Sequence, residues 1–223
     1  MHEIRKQIFK KLSEAKTARY SELKGKTLDG NIFSYHLKSL IREGYVRRKD
    51  RGYSLTPKGK NLVSGVSFES FSERAQPKIV TTIVLEHKGK YLLYRKKREP
   101  FLNNISFPYG KIHIEERVAE AANRELFEKT GLTAKLRYRG HVYIMVHDET
   151  ELVTHILSHV FSGTQLKGKL ENEDASNTGC FWSRLDAVPK SQLLPGVAQI
   201  ARLVKDNPTK LFFEEYSLNT SDE

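Results

Sequence analysis

Five side chains in the stretch GKIHIEERVAEAANRELFEKTGL, residues 110–132, could do chemistry together: Glu116, Arg124, Glu125, Glu128 and Lys129. Residues three and four apart on a helix sit one above the other, so Glu125, Glu128 and position 129 share a face. Paired carboxylates are how a chain holds a hard divalent cation. At the third position, however, this sequence carries a lysine. Glu125 also lies two turns beyond Val118, within the apolar stripe formed by Val118, Ala121, Ala122 and Leu126. A carboxylate there is predicted to be half-buried and to need a counter-charge. With glutamate preceding lysine by four residues, Glu125 and Lys129 are in the favourable order to pair directly. An ammonium can partly neutralise the carboxylates. It cannot bridge phosphate oxygens or acidify a bound water as a divalent ion does.

These side chains must be positioned by a helix that Gly131 ends in a left-handed turn. Around it, IVTTIVLE and KYLLYRKK read as strands of a hairpin joined by HKGK. Further strands are expected at GHVYIMVHD, THILSHVFSG and GCFWSR, and a second helix at PGVAQIARLVKD. Mixed strands with two helices indicate a layered α+β or α/β structure.

The charged stretch resembles the Nudix box, in which glycine, glutamate, arginine–glutamate, a bulky aliphatic residue and a further glutamate recur at fixed spacings. Gly110, Glu116, Arg124, Glu125, Leu126, Glu128, Gly131 and Leu132 all match. ISFPYGKI is similar to the lead-in to that box and GCFWSRLDAV to a strand and turn near the family's C-terminal end, so the resemblance covers residues 78–207. It implies an α/β/α sandwich with a mixed sheet that hydrolyses nucleoside diphosphates linked to another group, with Mg²⁺ or Mn²⁺ on Glu125 and Glu128. By the same resemblance Glu116 and Arg124 belong to the catalytic box and brace loop against helix. The candidate ligand contacts are Gly110, Tyr109 and Lys129, and at the basic strand end Arg95, Lys96, Lys97 and Arg98 are candidates for a ligand phosphate. Two residues depart from the pattern. Lys129 stands where the family carries a second glutamate, weakening the metal site, and Tyr109 replaces a glycine, narrowing the loop. Glu171, Glu173 and Asp174 lie where the family often places an additional catalytic glutamate.

Charge divides the chain. Residues 1–70 hold 16 Lys+Arg against 7 Asp+Glu, whereas the other 153 hold 22 against 20. That asymmetry points to a polyanionic partner for the first segment. Apolar residues Ile4, Ile8, Phe9 and Leu12 mark a first amphipathic helix, and ARYSELKGKT a short second one. Asn31 is expected to cap a third helix that buries Ile32, Phe33, Leu37, Leu40 and Ile41 and stops at Gly44. Two short strands, YVRRK and GYSLT, and a helix opened by Thr56–Pro57 follow. SYHLKSLIREGYVRR followed by GYSLTPKGK resembles the winged helix-turn-helix of ArsR/MarR-type regulators. The resemblance places the third helix in the DNA major groove. Ser34, Tyr35, His36, Lys38 and Arg42 would then meet bases or phosphates, and Lys49 and Arg51 of the wing the backbone. Such domains commonly pair to read two half-sites, so a homodimer is expected.

The expected organisation is therefore a winged helix-turn-helix over 1–64, a linker over 65–77 packing partly through Phe68 and Phe71, a Nudix domain over 78–216 and a disordered tail over 217–223. Hydrophobic residues make up 38% and charged residues 29%, and no apolar run approaches the ~20 residues that span a bilayer. The single Cys180 excludes an internal disulfide and, with no secretory signal pattern, points to the cytoplasm. His155 and His159, four apart, are a candidate zinc pair. Phe181 and Trp182 read as core or pocket wall. The functional expectation is a DNA-binding transcription regulator whose degenerate Nudix domain senses a nucleoside-diphosphate-linked metabolite. The alternative is a Mg²⁺- or Mn²⁺-dependent hydrolase with an accessory nucleic-acid-binding domain.

Overall fold

A computed structural model describes residues 1–170 and 179–220. It divides into two compact units, Met1–Ala75 and Gln76–Glu223.

In the first unit, α1 (Glu3–Glu14) buries Ile4, Ile8, Phe9 and Leu12 as its periodicity requires. Next come α2 (Tyr20–Lys24) and α3 (Gly30–Arg42). The cap of α3 is Asp29, not Asn31: its carboxylate accepts from the backbone N–H of Asn31 at 2.8 Å and of Ile32 at 3.0 Å. Helical phase puts Phe33, Leu37 and Leu40 in the core, whereas Ile32 faces outward, 53% exposed, and Ile41 is only partly buried. Strands β1 (Val46–Lys49) and β2 (Gly52–Leu55) form an antiparallel hairpin, with Val46 opposite Leu55. Its turn puts Asp50 at φ 53°. Thr56 then caps α4 (Pro57–Gly65), its hydroxyl accepting from Gly59 N–H at 3.1 Å. The segment beyond α4 folds back: Val66 bridges to Glu73, and the Phe71 ring packs 5.6 Å from that of Phe9.

The second unit begins with β3 (Lys78–Val84), β4 (Glu86–His87) and β5 (Lys90–Arg95). The expected hairpin is split between two sheets. Only the two residues of β4 pair with β5, while β3 pairs in parallel with a distant strand. Val80–Leu85 is buried on both strand faces, which suits the interior of a large sheet rather than a hairpin arm. After β6 (Ile105–Ser106) and β7 (Tyr109–Lys111) come α5 (Val118–Thr130), β8 (Thr133–Asp148) and β9 (Glu151–Lys167). Then follow β10 (Cys180–Ser183), α6 (Val197–Asp206) and β11 (Phe212–Asn219). Residues 217–219 are not tail. They finish β11, where Ser217 lies opposite Met145 and Asn219 opposite His147, and Leu218 packs on the core.

The large sheet has the order β11-β8-β9-β3-β7 and is mixed, with β11 parallel to β8 and β3 parallel to β9. Alternation along the strands separates its faces. Ile83 and Phe161 meet Ala122 and Leu126 of α5 on one side. Val142, Ile144, Val146 and Val160 meet Val197, Ile200 and Ala201 of α6 on the other. The smaller sheet runs β10-β5-β4, with β6 on β5. No described helix is long and apolar enough to cross a membrane.

Candidate functional site

Helix α5 is fixed at both ends by local chemistry. Glu120 accepts the Arg117 backbone N–H at 3.3 Å, and Gly131, at φ 70°, closes the helix by donating to Phe127 C=O at 2.8 Å. Between these ends the charged residues form one network centred on Arg124. Its guanidinium grips Glu116 through Nε at 2.7 Å and Nη2 at 2.9 Å. Its Nη1 donates to Glu125 Oε1 at 2.8 Å and Glu128 Oε2 at 3.1 Å, and Nη2 also reaches Lys111 C=O at 3.0 Å. Glu116 in turn accepts the His113 backbone N–H at 2.9 Å, tying the loop before α5 to the helix. The bond from Arg124, then that from His113, holds the Glu116 carboxyl down at about 2. Arg124 itself is pushed above its ordinary value, chiefly by Glu116.

Glu125 is the buried member, only 7% exposed. Its Oε2 lies 3.4 Å from Lys129 Nζ, so cations of the chain face both carboxylate oxygens. Gly110 of β7 runs directly beneath. A Cβ there would stand 1.9 Å from Glu125 Cδ, so only glycine leaves room for the carboxylate. Glu128 is different: its side chain is 56% exposed and turned toward Arg124.

A cavity of about 660 Å³ opens beside Glu125 and Lys129. Tyr109 and Gly110 of β7 form one wall with them. Lys96, Lys97 and Arg98 after β5 form another, and Ile144, Ile156 and Ile200 supply an apolar side. The volume and the mixed lining suit a small organic ligand carrying anionic groups. Tyr109 narrows no loop: its backbone pairs with Thr82 on β3, and its hydroxyl accepts from Lys96 Nζ at 2.7 Å. Lys129 Nζ sits 5.1 Å over the Tyr94 ring. Arg95 stays outside the cavity lining, its Nη1 donating to Asn103 C=O at 2.9 Å. Of the four basic residues expected at this strand end, Lys96, Lys97 and Arg98 line the cavity and Arg95 does not. Alternation separates Arg95 from Lys96, because Tyr94 lines the cavity and the next position on the same strand face is 96.

Mg²⁺ demands near-octahedral oxygen ligation. Among the described residues no three His, Cys, Asp or Glu side chains come together to hold a metal. The carboxylates of α5 are instead turned to Arg124 and Lys129. The described residues thus do not fit a divalent ion. Glu171, Glu173 and Asp174 lie outside the described residues. His155 and His159 do not converge either. His155 lies opposite Met145 with its ring edge-on to Tyr143, whereas His159 lies opposite His141 and shares the Tyr138 hydroxyl with it at 3.3 and 3.1 Å. Phe181 and Trp182 pack against the two cores of this unit, and buried Cys180, its thiol pushed up by burial to about 11, is inert.

In the first unit Tyr35, Lys38 and Arg42 of α3 and Lys49 and Arg51 of the hairpin are exposed, Tyr35 by 66%. Two expected contact residues are engaged locally. Ser34 shares a hydrogen bond with Tyr20 Oη at 2.7 Å, and His36 stacks on His2 with centroids 4.2 Å apart. Burial, then the His2 and Arg5 charges, lower the His36 pKa, so its ring favours the neutral form.

A family model described as the NUDIX domain matches residues 75–206. Another, described as a domain of unknown function (DUF7347), matches residues 1–66. The chain is 27% identical over 131 residues to an ADP-ribose pyrophosphatase of Methanocaldococcus jannaschii, spanning 59% of this chain and 76% of that protein. It is 29% identical over 117 residues to an oxidized purine nucleoside triphosphate hydrolase of Danio rerio, spanning 52% and 72%. The NUDIX domain of Shewanella oneidensis NrtR, solved in complex with ADP ribose, superposes with a TM-score of 0.51 at 17% identity over 70% of this chain and all of that one. A MutT protein from Bacillus halodurans gives 0.50 at 21% identity over 66% and 93%. At these identities the two structures speak for the fold.

Proposed function

This chain belongs to the NUDIX family, and from that premise we propose that it is a DNA-binding regulator whose NUDIX unit binds a nucleoside-diphosphate-linked metabolite without hydrolysing it efficiently. One observation carries the reading. Both oxygens of the buried Glu125 face cations of the chain itself, Arg124 at 2.8 Å and Lys129 at 3.4 Å. The charge that a divalent ion would neutralise is already neutralised, and an ammonium supplies no acidified water for hydrolysis. A cavity with basic and apolar walls remains, which suits recognition of an anionic nucleotide derivative. ADP-ribose is the first compound to test, being named for one relative and for one superposed structure.

For the first unit, three helices, an antiparallel hairpin and a following helix in that order support a winged helix-turn-helix. Exposed Tyr35, Lys38 and Arg42 on α3, with Lys49 and Arg51 on the hairpin, would form its DNA face. Such regulators act as homodimers on paired half-sites, and that is the assembly proposed here. Ligand control of DNA affinity requires different ligand affinities in the free and DNA-bound states, and the coupling must be reciprocal.

The names of the two relatives, an ADP-ribose pyrophosphatase and a nucleoside triphosphate hydrolase, favour a second reading, in which this chain is a hydrolase of nucleotide derivatives that uses Mg²⁺ or Mn²⁺. One experiment separates the two. The purified protein is incubated with Mg²⁺ or Mn²⁺ and ADP-ribose, dinucleotides, nucleotide sugars or nucleoside triphosphates, and the products are separated by chromatography. Binding of ADP-ribose to the same preparation is followed by calorimetry. Binding without turnover is expected. Efficient cleavage would make the chain an enzyme and its first unit an accessory.

A further inference from the structure

Both departures from the family pattern, Tyr109 and Lys129, line the same cavity, and Lys96 stands with them. Lys96 Nζ donates to Tyr109 Oη at 2.7 Å, and its ammonium lies 5.4 Å from the ring centroid. With the phenol oxygen accepting from Lys96, the Tyr109 O–H proton is left to donate elsewhere. Burial holds Tyr109 above its ordinary pKa, so that proton is present at neutral pH. Lys129 Nζ lies over the Tyr94 ring and beside Glu125. The two ammonium groups sense each other. Burial first, and the Lys129 charge as well, push Lys96 below the usual lysine range. Lys96 and Lys129 share the cavity lining with Lys97 and Arg98, against the buried carboxylate of Glu125 and the exposed one of Glu99, which makes a locally cationic site.

We infer that Lys96, Lys129 and the Tyr109 hydroxyl form a metal-free seat for a diphosphate. This rests on the reading that the cavity takes a nucleoside-diphosphate-linked ligand. Lysine binds phosphate as a point charge with rotatable donors, so two lysines can hold the oxygens of adjacent phosphates without fixed coordination geometry. A bound diphosphate also relieves the repulsion between the two ammonium groups. Tyr109, occupying a family glycine position, supplies a neutral donor where glycine has no side chain. The seat prefers a diphosphate to a monophosphate, because one phosphate group cannot satisfy both lysines equally.

The test is calorimetric titration of the full chain in EDTA with ADP-ribose, inorganic pyrophosphate and AMP, repeated in Mg²⁺. The wild-type protein should bind ADP-ribose and pyrophosphate in EDTA, AMP more weakly, and gain little from Mg²⁺. Lys96→Met should weaken ADP-ribose binding by about tenfold or more, the scale of one charge-assisted contact, and Tyr109→Phe by less. Lys96→Arg, which keeps the charge and the stem, should recover part of the affinity and serves as the second variant if the methionine protein does not fold. Wild-type affinity retained in Lys96→Met, or binding that appears only with Mg²⁺, overturns the seat while the ligand class survives. A wild-type protein that binds no nucleoside diphosphate compound with or without metal overturns the reading on which the seat rests.

Discussion

Gly110 and Glu125 are in such close register that a single carbon added to Gly110 would lie 1.9 Å from the Glu125 carboxylate carbon. Strand β7 and helix α5 therefore meet at a point where the backbone itself forms the floor under a buried charge. The glycine and the glutamate are fifteen positions apart in the sequence, but one is the condition for the other.

Gly110→Ala is expected to force the Glu125 carboxylate away from Arg124 and Lys129. The cost should resemble other overpacking substitutions, about 1–3 kcal/mol. Urea unfolding followed by the fluorescence of Trp182, the one tryptophan of the chain, reads this unit directly. An unchanged midpoint would mean that the carboxylate has room the geometry denies it.

Glu116 gives a pH prediction with a definite sign. Its carboxyl is lowered from 4.5 to about 2, first by Arg124 and then by the His113 N–H. A depressed acid contributes stability that is fully present above the unfolded value and lost as pH falls through the folded one. The contribution of Glu116 should therefore be intact above pH 4.5 and disappear by about pH 2. Glu116→Gln should melt below the wild type at neutral pH, and the two melting curves should converge across that window. A gap in melting temperature that stays constant down to pH 2 would show that the pairing with Arg124 does not set the titration.

Much of this site could be read in the sequence because its information is local. The helical spacing put Glu125 in the apolar stripe and Lys129 one turn beyond it, and the 3.4 Å contact follows from that spacing. What escaped depended on partners far along the chain. β3 looked like a hairpin arm because β9, its parallel neighbour, begins more than seventy residues later. The end of β11 looked like tail because its polar residues meet β8, with Asn219 opposite His147, at an exposed sheet edge. Asp29 and Asn31 are both good caps, and which of them starts α3 depends on how the preceding turn leaves α2. At the basic strand end 95–98 residue type does not separate Arg95 from Lys96, whereas strand alternation decides which of the two faces the cavity.

The exposed basic residues of the first unit predict a salt-dependent interaction with duplex DNA. Each phosphate contact removed should reduce the slope of log affinity against log salt by about 0.9. Lys38→Ala combined with Arg51→Ala, one residue from α3 and one from the hairpin turn, should weaken binding to a random-sequence duplex and flatten that slope. Both side chains are exposed, so folding should be unaffected. Mobility shifts at several salt concentrations provide the readout, and a double variant with the wild-type slope would remove this face from the DNA contact.

Replacing Lys129 by glutamate tests the central charge relationship from the opposite side. The substitution removes the ammonium facing Glu125 Oε2 and places a third carboxylate on the face that already holds Glu125 and Glu128. Three oxygen donors on one helix face are the start of a hard-cation site, whereas the wild-type arrangement neutralises its carboxylates internally. Lys129→Glu should therefore bind Mn²⁺ at least about tenfold more tightly than the wild type in a direct titration. Loss of one diphosphate-facing cation should at the same time weaken ADP-ribose binding in EDTA. The two effects have opposite signs and are measured on one protein, so a general loss of structure cannot imitate them. If Mn²⁺ binding stays at the wild-type level while ADP-ribose binding falls, position 129 faces the ligand but does not complete a carboxylate set with Glu125 and Glu128.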